Sequence, residues 1–141
     1  MSFATEGQAI RSRIATQWGS TTDIAWPNGA YIPTLGSAWI RVTIRNGESM
    51  QPYLGPGSKR RSAGVVLVEV FVPSDRFDSA VRALVDSVAA MFRNAQHDGI
   101  TYREPSAREA AGQIRAEGAA GQEEPWYRWI VEIPYYRDWT P

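Results

Sequence analysis

Residues 64–94 read GVVLVEVFVPSDRFDSAVRALVDSVAAMFRN, and this stretch predicts a strand that leads directly into a helix. The strand segment, residues 65–72, is β-branched and aromatic, with a single charge at Glu69. A strand that is apolar on both faces is typically central in its sheet and covered on both sides. Alternation predicts two such faces: Val66, Val68, Val70 and Val72 on the first, and Val65, Leu67 and Phe71 on the second.

The predicted helix begins where the strand must stop. Pro73 cannot donate to a β-ladder, and the side chain of Ser74 or Asp75 can accept hydrogen bonds from the free N–H groups of a helix N-terminus. A helix of about 20 residues spans about 30 Å, which is enough to cover a small sheet. Its apolar residues recur at steps of three and four, which predicts one buried stripe: Phe77, Val81, Leu84, Val85, Val88, Met91 and Phe92.

Length and composition predict one soluble domain that spans residues 1–141. The chain has no cysteine, which excludes disulfides, thiol nucleophiles and thiolate metal sites. Its 15 basic and 15 acidic side chains give a formal net charge of zero, whereas a dedicated nucleic-acid-binding protein is usually basic. No apolar run reaches the length of a membrane span, and residues 1–15 lack a secretory signal. We therefore expect a protein made in the cytoplasm, without a membrane partner.

The first half of the chain predicts a helix and a half-exposed strand. Apolar residues at helical spacing predict a helix over residues 3–17. Clean alternation in WIRVTIR, residues 39–45, predicts an antiparallel strand with one solvated face. Residues 46–64 are polar and rich in glycine, and both ends of this stretch are predicted strands. We therefore predict a hairpin whose connection, residues 46–64, is an extended mobile loop.

The second half predicts less regular structure before a final strand. Residues 99–103 indicate a short strand, and residues 104–124 indicate a loop with at most a short strand or helical turn. Residues 126–136 predict a strand, and Pro134 favours an edge position or the end of that strand. The predicted fold is α+β: an antiparallel sheet of about four strands with two helices packed on one face and a long loop between the first two strands.

Catalytic and metal-binding patterns are absent from the sequence. The single histidine, His97, lies beside an Asp-Gly turn and is interpreted as a solvated loop residue. No Gly-x-Ser-x-Gly elbow and no metal-ligand spacing occur. The paired carboxylates at Glu104 and Glu109, or at Glu123 and Glu124, fall outside predicted rigid elements, and a catalytic pair needs rigid support. We predict no enzyme activity, no cofactor and no metal site.

Two features favour an interaction instead. The predicted loop concentrates positive charge that could contact phosphate groups or simply be solvated, and its candidate contact residues are Tyr53, Lys59, Arg60 and Arg61. The final strand and tail hold more aromatic residues than one sheet face requires, which indicates either a protein–protein surface or a well-filled core with a tail folded back. These residues are Trp126, Tyr127, Trp129, Tyr135, Tyr136 and Trp139.

The whole arrangement resembles the tail terminator proteins of long-tailed, siphovirus-like bacteriophages and of related tail-like particles. The resemblance lies in a first helix, the strand WIRV at residues 39–42 and a Gly/Ser-rich connection. It continues through GVVLVEVFVP (64–73), FDSAVRALVDSVAAMF (77–92) and the closing PWYRWIVEIPYYRDW (125–139). It covers nearly the whole chain, and residues 104–124 match least.

This resemblance implies a structural virion protein in the neck region of the tail. Members of the family form a hexameric ring that caps the tail tube, ends its polymerisation and joins the head connector. The implied partners are further copies of the chain, the major tail tube protein, a head–tail connector protein, and DNA that passes through without sequence specificity. A ring needs contacts between two different patches. The candidate interface residues are Trp39, Arg41, Arg45, Trp126, Tyr136 and Trp139.

Two alternatives stay open at this point. The chain could be another head–tail connector or neck protein. It could also be a small α+β module that binds nucleic acid through Arg41, Arg45 and residues 59–61.

Overall fold

The computed structural model describes residues 2–51, 54–74, 78–110, 114–117 and 123–140. Within these ranges the chain forms two helices and eight strands. In chain order these are α1 (Phe3–Trp18), β1 (Asp23–Ala25), β2 (Trp39–Met50), β3 (Arg60–Pro73), α2 (Asp78–Phe92), β4 (Gln96–His97), β5 (Ile100–Tyr102), β6 (Ser106–Glu109), β7 (Ile114–Glu117) and β8 (Glu123–Trp139).

The predicted N-terminal helix is confirmed as α1. Ser2 caps it, because its hydroxyl accepts a hydrogen bond from the N–H of Thr5 at 3.2 Å. Ile10 and Ile14 are fully buried on its inner side. The helix ends at Gly19, whose φ of +59° is a conformation that glycine adopts without steric cost.

The second predicted helix is confirmed as α2. Its buried residues follow the predicted stripe at Val81, Val85, Val88 and Phe92, whereas Leu84 is only half-buried. Phe77 and the candidate cap Asp75 lie outside the described residues.

Strand β3 is central in the sheet, as its two apolar faces predicted. It pairs with β2 on one side and, from Arg60 opposite Trp139 to Pro73 opposite Trp126, with β8 on the other. The order of the strands is β1-β2-β3-β8-β5-β4, and β6 and β7 also pair with β8. The long strands β3 and β8 therefore hold the sheet together.

The predicted sheet of about four antiparallel strands is wrong, although the α+β class holds. The sheet is mixed because β1 runs parallel to β2, with Asp23 opposite Trp39. The short strand predicted at residues 99–103 is confirmed as β5, whereas the additional strands β1, β4, β6 and β7 have between two and four residues each. Such segments are too short to show an alternating pattern, so no periodic signal predicted the additional strands.

The predicted hairpin is confirmed, but the predicted long loop is wrong. Strand β2 continues to Met50 and β3 already begins at Arg60, so both ends of the 46–64 stretch are paired. Gly47 and Glu48 together oppose Ala63, which is a β-bulge. Backbone pairing, together with a contact of 2.9 Å between the hydroxyls of Ser49 and Ser62, orders this polar stretch without apolar side chains.

The edge position predicted from Pro134 is also wrong. Pro134 lies within β8, opposite Val65 of β3. Its carbonyl accepts a hydrogen bond of 2.8 Å from the N–H of Arg103, in the gap between β5 and β6. The N–H and C=O of one strand residue point to the same side. A backbone N–H at position 134 would therefore point into the gap between β5 and β6. Because this gap lies between two partner strands, the absence of this N–H at Pro134 removes no hydrogen bond from a ladder.

The two faces of the sheet differ in their cover. Both helices pack on the face that carries the even-numbered valines of β3, and all of them share one core. The other face is closed at one end only, by a cluster of Ala25, Trp39, Phe71 and Trp126. Elsewhere this face stays half-exposed, so the prediction of cover on both sides is wrong for most of β3. We call it the uncovered face: Arg41, Arg45, Val65, Leu67, Glu69, Arg128, Ile130, Glu132, Pro134 and Tyr136.

Candidate functional site

The uncovered face is built from rows of paired residues on β2, β3 and β8. Paired residues on neighbouring strands have their side chains on the same face. One row is charged, with Arg41 opposite Glu69. Another row is mostly apolar, with Arg45 opposite Val65 and Val65 opposite Pro134. The alternation in residues 39–45 predicted a strand with one solvated face, and the structure places the exposed Arg41 and Arg45 on that face.

Glu69 joins three neighbouring strands through one carboxylate. Arg41 donates two hydrogen bonds to it, from Nε to Oε1 at 3.0 Å and from Nη2 to Oε2 at 2.9 Å. Arg128 donates a third from Nη1 to Oε2 at 2.8 Å. Two arginines on β2 and β8 are thus held by one acid on β3.

These contacts set the charge state of Glu69. Its burial alone would raise the pKa of the carboxyl group. The hydrogen bonds from Arg41 and Arg128 outweigh that effect, so the pKa of Glu69 lies below its ordinary value. The carboxylate is therefore ionised at neutral pH and keeps both guanidinium groups in place.

Arg61 and Tyr136 occupy the far end of the uncovered face. Arg61 pairs with Asp138 through both carboxylate oxygens, at 2.7 and 2.8 Å. The hydrogen bond from Arg61 holds the pKa of Asp138 below its ordinary value. The guanidinium carbon of Arg61 also lies 4.3 Å from the centre of the Tyr136 ring, and that of Arg103 lies 5.3 Å from it. Tyr136 is therefore a half-exposed aromatic platform between two arginines.

The predicted basic loop residues do not form one cluster. Lys59 is exposed at the tip of the β2–β3 hairpin, whereas Arg60 and Arg61 belong to β3 and point to opposite faces. Arg60 donates a hydrogen bond to the side chain of Gln51. Tyr53 lies outside the described residues.

The hairpin tip is apolar as well as basic. Leu54 is fully exposed at 101% of its reference area, and Met50 is exposed at 55%. An exposed apolar side chain on a projecting turn has no role in the monomer's core. Single exposed apolar residues are common on protein surfaces, so it is the position of Leu54 on the turn that makes the tip a candidate contact.

Two of the candidate interface residues, Trp39 and Trp126, lie inside the monomer. Trp126 is fully buried and Trp39 is 5% exposed. The Trp39 ring stacks on Phe71 with 4.0 Å between centroids and meets Trp126 edge-on at 5.9 Å. Their side chains therefore fill the second small core and offer no surface to a partner. Arg41, Arg45 and Tyr136 remain on the uncovered face, and Trp139 is half-exposed with its indole N–H 3.3 Å from the hydroxyl of Ser62.

A buried ion pair joins α1 to β8. Glu6 is 1% exposed and Arg137 is 2% exposed, and their Oε2 and Nε atoms lie 2.8 Å apart. Glu6 Oε1 also accepts hydrogen bonds from the hydroxyl of Tyr135 and, at 3.3 Å, from Nδ2 of Asn46. Desolvation by burial and then this bond to Glu6 raise the pKa of Tyr135. The sequence did not reveal this cluster, because Glu6 and Arg137 are 131 positions apart.

The described residues hold little that resembles a catalytic centre. His97 is part-exposed, and its Nε2 lies 3.2 Å from the carboxylate of Asp98. Among the described residues there is no group of three or more potential metal-ligating side chains. Neither described helix is long and apolar enough to cross a membrane.

Comparison with known proteins identifies a family and a fold. The family model for phage tail terminator proteins matches residues 7–135. One solved structure matches 99% of this chain over 99% of its own length, with a TM-score of 0.65 and 16% sequence identity. At that identity the likeness shows the fold alone. No curated protein matches the chain.

Proposed function

Since this chain belongs to the phage tail terminator family and is therefore a structural protein of the phage tail, we propose that it forms a ring on the end of the tail tube. In that position the ring stops further addition of tube subunits and provides the surface that meets the head connector. DNA passes through the ring without sequence-specific contacts. The observation that carries this proposal is the family match over residues 7–135.

Two features of the surface support an assembly role. The uncovered face leaves Val65, Leu67 and Ile130 half-exposed, and the hairpin tip exposes Leu54 completely. A ring is closed by heterologous contacts, in which one patch meets a different patch on the next copy. The uncovered face and the hairpin tip are two such distinct patches on one chain.

Mixing the purified protein with tail tubes built from the major tail protein would test this proposal. We expect electron microscopy to show a ring at one end of each tube, and we expect capped tubes to stop lengthening when tube subunits are added. Native mass spectrometry would give the number of copies in the ring. Tubes that lengthen at an unchanged rate, without bound protein, would contradict the proposal.

A second candidate function within the same assembly is that of another neck protein. The same purified protein would then bind the head connector and leave tube ends bare. Binding to isolated tails and to isolated connectors, measured side by side, separates the two functions.

A third candidate is a nucleic-acid-binding module, favoured by the four arginines on and beside the uncovered face. A salt titration of binding to duplex DNA separates it from a tail terminator. A terminator should bind weakly and without sequence preference, whereas tight and specific binding would favour this third candidate.

A further inference from the structure

A small cleft lies in the middle of the uncovered face, between β2 and β6. Four arginines and two glutamates line it: Arg41, Arg45, Arg108, Arg128, Glu69 and Glu132. We call it the arginine cleft. Its volume is about 240 Å³, which is below the range of about 300–1,000 Å³ typical of small-molecule sites. A cleft of this size accommodates one side chain of a partner.

The charges in the arginine cleft do not balance. Glu69 holds Arg41 and Arg128, and Glu132 accepts one bond from Nη2 of Arg108 at 3.2 Å. Arg45 has no ion-pair partner among the described residues and is exposed. Four guanidinium groups against two carboxylates leave a surplus of two positive charges.

Because two of the four guanidinium groups are not neutralised by a carboxylate of the cleft, the arginine cleft favours an occupant that carries negative charge.

The apolar residues that line the arginine cleft favour a carboxylate side chain over a phosphate group. Leu67 and Ile130 line it and are half-buried. A bare phosphate group presents no apolar surface to such a floor. A glutamate or aspartate side chain presents methylene groups to Leu67 and Ile130 while its carboxylate meets the arginines. The cleft is therefore better suited to an acidic side chain than to a phosphate.

We propose that the arginine cleft receives an acidic side chain from a second copy of this chain. The whole chain has a net charge of zero, so the positive surplus in the cleft is matched by an equal negative surplus elsewhere on the same chain. In a heterologous contact the cleft of one copy faces a different surface of the next copy, and that surface would supply the acidic side chain. This inference rests on the proposed ring and assigns one of its contacts.

Reversing the charge of Arg45 tests the inference. Arg45→Glu places a carboxylate at the mouth of the cleft, and Arg11→Glu makes the same change at an exposed position of α1, outside the cleft. Loss of a charge pair at an interface weakens binding, so we expect ring formation on tubes to need at least about tenfold more Arg45→Glu protein. Arg11→Glu should assemble like the wild type, and both variants should keep the wild-type melting temperature.

The outcomes separate this inference from the proposed function. Normal rings from Arg45→Glu would overturn the inference and leave the proposed function standing. Absence of rings from the wild-type protein would overturn both. If Arg45→Glu forms normal rings but loses binding to a short DNA duplex that the wild type binds, the occupant is a phosphate group, and the inference is wrong.

Discussion

Glu6 and Arg137 form a charged pair inside a protein whose other buried residues are almost all apolar. Removing water from two opposite charges is costly, and their attraction offsets this cost only while both are present. The hydroxyl of Tyr135 and the amide of Asn46 add further bonds to the same carboxylate. Each partner of this pair therefore depends on the other.

We predict that Glu6→Gln lowers the free energy of unfolding by about 3–5 kcal/mol, because it removes the carboxylate that pairs with the buried Arg137 guanidinium. Urea denaturation followed by tryptophan fluorescence measures this change. The matched control is Glu48→Gln, an exposed position at which we expect a change within about 0.5 kcal/mol. Equal stability of the two variants would contradict the prediction.

Glu69 makes the stability depend on pH in a definite direction. Its pKa in the folded protein lies below the ordinary value of 4.5. The unfolded state therefore binds a proton more readily, and the carboxylate contributes stability above pH 4.5 that is lost as the pH falls through the lowered pKa. We predict that the wild type has a higher free energy of unfolding than Glu69→Gln at pH 7, and that this difference shrinks as the pH falls below 4.5. Urea denaturation at each pH measures the difference. A constant difference would argue against this role of Glu69.

At the scale of the elements, different parts of the β2–β3 hairpin contribute to folding and to assembly. Its two arms are paired in the sheet, but the apolar side chain of Leu54 at the tip is fully exposed in the monomer. A substitution of Leu54 should therefore weaken binding to a partner and leave the stability of the monomer unchanged. The exposed Ile32, at 64% exposure, offers a comparison away from the tip.

We predict that Leu54→Asp keeps the melting temperature of the wild type but lowers the occupancy of tube ends, because the tip can no longer bury an apolar side chain against a partner. Ile32→Asp should leave both properties unchanged. Electron microscopy of mixtures with tail tubes measures the occupancy, and circular dichroism measures the melting temperature. A fall in melting temperature for Leu54→Asp would instead assign the tip to the fold.

The elements also show what the sequence could predict. Strong periodicity predicted β3, α2 and the central place of β3. The same approach failed at Pro134, because proline's missing donor falls between two partner strands that are far from it in sequence. Trp39 is a candidate interface residue as part of the strand predicted at residues 39–45, and Trp126 is one because of the aromatic excess of the final strand. Their burial depends on contacts with Phe71, which no local pattern displays.

At the scale of the whole molecule, a main core and a buried ion pair connect the helices with the sheet. The helices share a core with the sheet, and the Glu6–Arg137 pair joins the first helix to the last strand. We predict a single unfolding transition, with the same midpoint by far-ultraviolet circular dichroism and by tryptophan fluorescence. Two separate midpoints would contradict the prediction of one domain over residues 1–141.

The pairing of β3 with β8 has a mechanical consequence. The two strands run antiparallel and face each other along all 14 residues of β3. A tension applied along these strands would load all of those pairs together and would not peel them apart one by one. The subunit should therefore be stiffest along this axis.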